Sequence, residues 1–237
     1  MADIVKAIEK EKEYLSYRMK GEEPFHLVDA VKECGFDSLD AYFAAKTEYM
    51  IRQTAKTVTE CAQSEIVSEA VRIIQNRLTG VWYAYSDQTC VFNGDCGAQT
   101  YNAEYCAENG ITVYSLGAMG GTIVHSDGDL SWGIALPSDI YADYAYFLNH
   151  IADIMQKHTE KSVTVSGNDI LIDGEKVCGS TVYKVNSIFL FISYFSFSDK
   201  ANLIQVICNK ETQKVPTYID FMTRDTLKRE VMEWLAV

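Results

Sequence analysis

The chain has 237 residues, 48% of them hydrophobic and 23% charged, and its formal net charge is −12. Such a chain is long enough to bury a sizeable core, but it has no excess of the Lys and Arg side chains with which proteins bind nucleic acid phosphates. No stretch of the sequence reaches the roughly 18 uninterrupted apolar residues of a membrane helix. We therefore predict a globular protein with neither a nucleic acid nor a membrane as its partner.

The N-terminus and the cysteines indicate a cytoplasmic protein. The first ten residues lack the apolar core of a signal peptide. The seven cysteines are scattered, odd in number and never spaced as Cys-x-x-Cys. Reduced thiols are thus expected instead of a disulfide framework or a zinc site, and we name no metal ligand.

Residues 1–79 are predicted to form a helical N-terminal segment. Apolar residues recur at near-helical spacing over residues 4–15 and again over residues 64–78. Gly21 ends the first helix, and Pro24 suits the start of the next one. The segment has no catalytic motif, and we interpret it as helices packed on the rest of the chain.

From Gly80 onward the hydrophobic period changes, and residues 80–237 are predicted to form an α/β (α+β) domain with a mixed sheet and flanking helices. Aromatic and β-branched runs predict strands at residues 81–85, 89–92, 111–114, 122–125, 130–136 and 188–197. Helices are predicted at residues 102–108, 140–157 and 223–235.

A predicted β-hairpin at residues 167–180, G-N-D-I-L-I-D-G-E-K-V-C-G-S, carries the first candidate site residue. Its turn is Asp173-Gly174, a strong signal because both central positions need a positive φ. Lys176 follows the turn. It is either a solvated surface lysine or a fixed ammonium that meets an anionic ligand. Cys178, two residues further on, is expected to share the strand face of Lys176 as a small buried residue.

A glycine loop precedes this hairpin in the chain. Its sequence is A-M-G-G-T, and Gly120 and Gly121 would let the backbone approach a ligand and turn N–H groups toward an anion. A plain tight turn is the alternative. His125 ends the strand that follows, where it is either a hydrogen-bonded structural group or part of a pocket.

These two stretches resemble the lipoate–protein ligases of the biotin/lipoate ligase superfamily. The hairpin is similar to the lysine motif of that family, which runs Asn-Asp, an apolar strand, Asp/Asn-Gly-x-Lys, an apolar residue and x-Gly-Ser/Asn. Residues 109–132, N-G-I-T-V-Y-S-L-G-A-M-G-G-T-I-V-H-S-D-G-D-L-S-W, resemble its glycine loop and the strand that ends in His. The resemblance covers about residues 80–235 and implies a biotin/lipoate ligase-like catalytic domain preceded by the helical segment.

The resemblance also implies an activity. The protein would activate lipoate or octanoate with ATP and Mg²⁺ and pass the acyl group to a lysine of a lipoyl-type carrier domain. Lys176 would be the catalytic cation at the acyl carbonyl and the phosphate, and Asn168 and Asp169 would serve the phosphate–metal end. The remaining residues that the resemblance assigns to ligand binding are Gly120, Gly121, Thr122, His125 and Gly179. Many of these ligases have a C-terminal accessory domain, which some members carry on a separate polypeptide.

The chain departs from the family pattern at the glycine loop. Met119 stands in place of a third glycine, and Ser115 and Leu116 stand in place of a phosphate-binding Arg pair. The stretch from Gly80 to Gln156 has nine acidic residues and no Lys or Arg, so that Arg72 and Arg77 are the nearest cations before it. Two further functions therefore stay open. One is a non-catalytic relative that binds an acyl ligand or a partner protein, and the other is an ATP-independent, cysteine-dependent acyltransferase.

Overall fold

A computed structural model describes residues 2–54, 58–62, 65–93, 101–115, 122–137, 144–208 and 217–235. Its helices are α1 (Ile4–Met19), α2 (Leu27–Glu33), α3 (Leu39–Thr54), α4 (Ile66–Asn76), α5 (Ala103–Glu108), α6 (Tyr144–Gln156), α7 (Ala201–Cys208) and α8 (Arg224–Leu235). Its strands are β1 (Val58–Ala62), β2 (Gly80–Tyr85), β3 (Cys90–Asn93), β4 (Thr112–Ser115), β5 (Thr122–His125), β6 (Leu130–Pro137), β7 (Val163–Ser166), β8 (Asp169–Ile172), β9 (Glu175–Val185) and β10 (Ile188–Phe195). Within these ranges, no helix combines the length and apolar character needed to cross a membrane.

Helices α1, α2 and α3 form an N-terminal layer with a small core of its own, in which Ala7, Val31 and Tyr42 are fully buried. Asp3 caps α1 by accepting a hydrogen bond from the Lys6 backbone N–H at 3.0 Å. Ile51, near the end of α3, instead belongs to the core of the main sheet. The predicted helical N-terminal segment is therefore confirmed.

One strand falls inside the segment that the sequence pattern assigns to helices. Strand β1 pairs in parallel with β2, and it forms one edge of the main sheet. The prediction of helices throughout residues 1–79 is wrong at this strand, because five residues of alternating exposure give a weak strand signal next to the strongly periodic helix α4. The division of the chain into units at residues 79 and 80 stays a prediction.

The main sheet is mixed, as predicted, with the strand order β1-β2-β6-β10-β9-β8-β7. Apart from the β1–β2 pair, its neighbouring strands run antiparallel. Central strand β10 is buried along its whole length because both of its faces are covered. Phe189, Phe191 and Phe195 pack in the cluster that includes α6 and α8, whereas Leu190 and Tyr194 pack in the cluster that includes α4 and β3.

A second, three-stranded sheet has the order β4-β3-β5 and packs over the α4-facing side of the main sheet. Phe92 of β3 is fully buried there, and its ring lies 5.9 Å from the ring of Tyr194. Helix α7 and helix α5 cover the outer side of this sheet through Ile207, Cys106 and Val91. The space between the two sheets is where the candidate site lies.

Candidate functional site

A cavity of about 350 Å³ opens between β5 of the small sheet, strands β8, β9 and β10 of the main sheet, and α7. Much of its wall is apolar, with Ile123, Leu171, Val177, Phe195 and Ile204 among the lining residues. Its volume lies at the lower end of the range of small-molecule sites, which are mostly apolar with a few placed polar groups. The cavity therefore suits a small, partly apolar ligand.

The β8–β9 hairpin positions Lys176 at this cavity. Asp173 and Gly174 have φ values of 50° and 84°, as the predicted two-residue turn requires. Leu171 pairs with Lys176, but the preceding Ile170 pairs with Cys178, so that Val177 is an additional residue that forms a β-bulge. The bulge turns Lys176 toward the cavity that Leu171 also lines.

The same bulge overturns the expectation that Cys178 shares the strand face of Lys176. Because Val177 interrupts the alternation of side chains, Cys178 packs with its partner Ile170 in the α6-facing core. Cys178 is also among the residues that line the cavity, but burial raises the pKa of its thiol to about 12. A thiol with this pKa is inert at neutral pH.

Lys176 is held by an ion pair and by a glycine. Its Nζ lies 2.7 Å from Asp169 Oδ1, and the Lys176 side chain is 37% exposed. Gly179 lies beside both side chains, and a Cβ at this position would be 3.1 Å from Lys176 Nζ and 3.6 Å from Asp169 Oδ1. The missing side chain at Gly179 leaves the space that the ammonium fills.

Asn168 lies next to this pair but outside the cavity lining. Its Nδ2 donates a hydrogen bond to the Ser180 carbonyl at 2.7 Å, and the Ser180 N–H donates to the Asn168 carbonyl at 2.9 Å. The structure thus shows Asn168 fixing the junction of β8 with β9. A contact between Asn168 and a phosphate or metal stays a prediction.

Most of the glycine loop lies outside the described residues. Gly120 and Gly121, together with Leu116 and Met119, lie outside the described residues. Thr122, which directly follows the loop, begins β5 and lines the cavity, and its Oγ1 donates to Asn93 Oδ1 at 3.2 Å. The end of the loop therefore lies at the same cavity as Lys176, across 54 residues of sequence from Thr122 to Lys176.

His125 ends β5 and lines the cavity as a buried side chain with 1% exposure. Neither ring nitrogen has a hydrogen-bond partner within the described part of the chain, and Nδ1 is 3.9 Å from Asp129 Oδ2, beyond hydrogen-bonding distance. Burial first, and the charge of Lys200 second, lower the pKa of His125 to about 3. The imidazole is neutral at physiological pH.

A buried ion pair between Lys200 and Asp129, which no sequence motif predicts, forms another part of the cavity wall. Lys200 precedes α7 and lines the cavity, and its Nζ bonds to Asp129 Oδ2. Asp129 also accepts hydrogen bonds from the backbone N–H groups of Phe197 and Ser126 at 2.8 and 2.9 Å. The pair is 71 residues apart in the chain, so that no local pattern links the two side chains.

Within the described ranges, the positively charged side chains that line the cavity are Lys176 and Lys200, and each is paired with an aspartate. Arg72, one of the cations nearest in sequence, is exposed and instead pairs with Glu69 of the same helix, and Arg77 is likewise exposed. Neither arginine lines the cavity. Among the described residues, both cavity cations thus come from the C-terminal half of the chain.

Together, the mixed sheet and the lysine-bearing hairpin at an apolar cavity agree with the ligase-like catalytic domain that the sequence resemblance implies. The sequence profile of the lipoyl protein ligase A/B catalytic domain matches residues 62–224, and the chain belongs to this family. Among curated proteins, none matches the chain.

Solved structures support the same fold. One is P. falciparum LipL1 in complex with lipoate, which is 12% identical with a TM-score of 0.65 over 76% of this chain and 60% of that one. Another is a bipartite lipoate protein ligase with its E2 lipoyl domain from Thermoplasma acidophilum, at 14% identity and a TM-score of 0.62 over 76% and 82% of the two chains. A lipoate-protein ligase A bound with ATP is 13% identical, with a TM-score of 0.61 over 76% and 83%. The chain spans 60% of the length of the P. falciparum protein.

Proposed function

We propose that the protein is a lipoate–protein-ligase-like enzyme that activates lipoate or octanoate with ATP and transfers the acyl group to a lysine of a lipoyl-type carrier domain. The observation that carries the proposal is the Lys176 ammonium, held by Asp169 and Gly179 at the more exposed end of an apolar cavity. The similar solved structures are of ligases described with lipoate, with a lipoyl domain and with ATP, and they support the acid, the carrier domain and the nucleotide of this proposal. The cysteine pattern supports a cytoplasmic location.

In this reaction the apolar wall holds the acyl chain and the acid carboxylate lies at Lys176. A carboxylate oxygen attacks the α-phosphorus of ATP, and pyrophosphate leaves. The amine of the carrier lysine then attacks the acyl carbonyl carbon and loses a proton, and AMP leaves. Negative charge develops on the α-phosphate in the first step and on the carbonyl oxygen in the second. A fixed ammonium at Lys176 stabilises both.

A magnesium ion fits the donor set at this end of the cavity. Mg²⁺ bound with nucleotides commonly takes one or two protein carboxylates together with phosphate oxygens. Asp169 supplies one carboxylate beside Lys176, and Asn168 precedes it. In the described ranges, no group of three or more His, Cys, Asp and Glu side chains could hold a metal ion without phosphate ligands. Bound Mg²⁺ would neutralise phosphate charge.

The decisive experiment measures pyrophosphate release with ATP–Mg²⁺ and either octanoate or lipoate. We expect Lys176→Ala to lower the rate by about 10²- to 10³-fold, because it removes a preorganised electrostatic contact. Lys161→Ala is the matched control, since it removes an exposed lysine that pairs with Asp220 away from the cavity. Turnover that survives Lys176→Ala would exclude the proposed role of this residue.

The charge balance at the cavity favours a second function, a non-catalytic relative that binds an acyl ligand. Each described lysine at the cavity already faces an aspartate, and Ser115 and Leu116 replace the phosphate-binding Arg pair of the family. An ATP phosphate would then depend on Mg²⁺ or on a separate accessory polypeptide for its counter-charge. Absence of pyrophosphate release with the chain alone, combined with octanoate binding that Lys176→Ala abolishes, would support this function. The buried Cys178 thiol, with its raised pKa, argues against the cysteine-dependent acyltransferase.

A further inference from the structure

Two polar side chains at the buried end of the cavity have no hydrogen-bond partner within the described part of the chain. They are His125, with both ring nitrogens, and Tyr194, with its hydroxyl. Both residues line the cavity, with exposures of 1% and 4%. Buried polar groups are nearly always hydrogen-bonded, because an unsatisfied one keeps its full desolvation cost.

The sheet register fixes where these groups lie relative to Lys176. Asp169 pairs with Gly179 on one side, and Tyr194 pairs with Gly179 on the other, so that the three residues form a row across β8, β9 and β10. Residues directly opposite each other point to the same face, and neighbouring strands are about 4.8 Å apart. The Cα of Tyr194 is therefore about 10 Å from that of Asp169. The His125 ring lies a further 5.3 Å from the Tyr194 ring.

The cavity thus has two polar ends. The charged end, formed by Lys176 and Asp169, is partly exposed. The other end is buried, and its side chains His125 and Tyr194 carry no charge themselves but lie beside the Lys200–Asp129 ion pair. A neutral imidazole offers one donor and one acceptor, and a phenol hydroxyl offers both. An unbranched alkyl chain that reached this end would leave all of these groups unsatisfied.

We propose that the acid bound in this cavity carries a neutral hydrogen-bonding group at the end remote from its carboxylate, and that His125 and Tyr194 select for this group. A hydroxyl, an amide or a ureido group has the required chemistry. The proposal rests on the proposed function, since it takes the Lys176 end as the site of the carboxylate. An anionic remote group does not fit, because the nearby Lys200 charge is already paired with Asp129, whose carboxylate lies 3.9 Å from His125.

The test compares three acids of the same chain length by calorimetry on the full chain: octanoate, 8-hydroxyoctanoate and octanedioate. We expect 8-hydroxyoctanoate to bind about 3- to 10-fold more tightly than octanoate, which is the usual net effect of one buried hydrogen bond. Equal affinities would overturn the proposal, because water would then satisfy the two side chains. Tightest binding of octanedioate would overturn it as well, in favour of an anionic remote group.

A conservative variant identifies the residue responsible. Tyr194→Phe removes a single hydroxyl, and it should lower the ratio of 8-hydroxyoctanoate affinity to octanoate affinity. Tyr183→Phe is the matched control on neighbouring β9, since it removes a hydroxyl outside the cavity lining. A preference that survives Tyr194→Phe would contradict the assignment of this residue.

The same titrations separate this proposal from the proposed function. If octanoate binds in a manner that depends on Lys176, but 8-hydroxyoctanoate shows no advantage, the acyl cavity stands and the polar remote group fails. If none of the three acids binds, the proposed function fails and this inference fails with it.

Discussion

Gly179 is the residue whose side chain, if it had one, would compete directly with Lys176. A Cβ at this position would lie 3.1 Å from Lys176 Nζ and 3.2 Å from its Cε, which are the flexible end of that side chain. A flexible end can move by a few tenths of an ångström at little cost in stability, but the ammonium then leaves its position beside Asp169. Gly179 therefore determines the position of the Lys176 ammonium and not the stability of the fold.

We accordingly expect Gly179→Ala to lower octanoate turnover, or octanoate affinity, by about 10-fold or more with little change in melting temperature, because small misplacements of a catalytic group are costly. Steady-state kinetics and thermal unfolding of the same sample test this. In a Lys176→Ala background, Gly179→Ala should have no further effect on activity. A large loss of stability would contradict this explanation.

His125 gives the fold a specific dependence on pH. Its pKa falls from an ordinary 6.5 to about 3 in the folded chain, mainly through burial and also through the charge of Lys200, while Asp129 opposes the shift. Below pH 6.5 the unfolded state binds a proton that the folded state does not, so that stability is lost as the pH falls toward 3. Above pH 6.5 the neutral imidazole contributes no pH dependence.

Between pH 6 and pH 5 the free energy of unfolding should therefore fall by about 1.2 kcal/mol through His125 alone. Chemical denaturation at the two pH values measures this slope, and His125→Gln should flatten it. Glu230, whose pKa is lowered by the hydrogen bond from His158, loses its contribution to stability at a lower pH, outside the range from pH 6 to pH 5. An unchanged slope in His125→Gln would show that the imidazole is not buried as described.

At the level of elements, the packing of β2 against β6 requires a glycine, Gly133, in β6. The indole of Trp82 covers Gly133, its partner in the β2–β6 register, and a Cβ there would be 2.3 Å from Trp82 Cζ2. This ring is 1% exposed and is packed on the side of the sheet that faces α4 and the small sheet. In contrast to Lys176, it cannot move away without repacking the core.

Gly133→Ala should therefore destabilise the chain by about 1–3 kcal/mol, the usual cost of an overpacked core. Urea denaturation measures the loss. Trp82→Leu creates a cavity of its own, but in that background Gly133→Ala should cost much less than in the native chain. Additive losses in the double variant would contradict a direct contact between the two residues.

The hairpin shows what local sequence can and cannot predict at this scale. Asp173-Gly174 predicts the turn because positive φ values restrict the residue types, and the structure confirms it. The bulge at Val177 has no such signature, since Val is common in regular strands. The predicted face of Cys178 was wrong for this reason alone, as one additional residue exchanges the two faces of a strand.

At the level of the whole molecule, the parts that sequence predicts are those set by short-range pattern. The change of period near Gly80 predicts a helical layer followed by a mixed sheet, and the fold confirms both. The pairing of Lys200 with Asp129 depends on the packing of α7 against β5, which is a consequence of the completed fold. The net charge of the cavity, and with it the balance between ligase and binding protein, could therefore not be predicted from the charges near Gly120.

A second buried ion pair connects helices α1 and α3 of the N-terminal layer. Glu11 of α1 is 4% exposed and bonds to Lys46 of α3, and it accepts a hydrogen bond from the Tyr42 hydroxyl at 2.6 Å. This cluster belongs to the small core of α1, α2 and α3, whereas the sheet has separate cores. Breaking the pair should therefore act on the layer first.

We expect Lys46→Met to cost about 3–5 kcal/mol, because it leaves the Glu11 carboxylate buried without its cation. Lys10→Met, which breaks the exposed Lys10–Glu13 pair on α1, should change the stability far less. Native-state hydrogen exchange should show amides of α1 and α3 losing protection while those of β10 keep it, since the two regions have distinct cores. Equal loss of protection in β10 would show instead that the helical layer and the sheet unfold as one cooperative unit, and the predicted division of the chain near Gly80 would then fail.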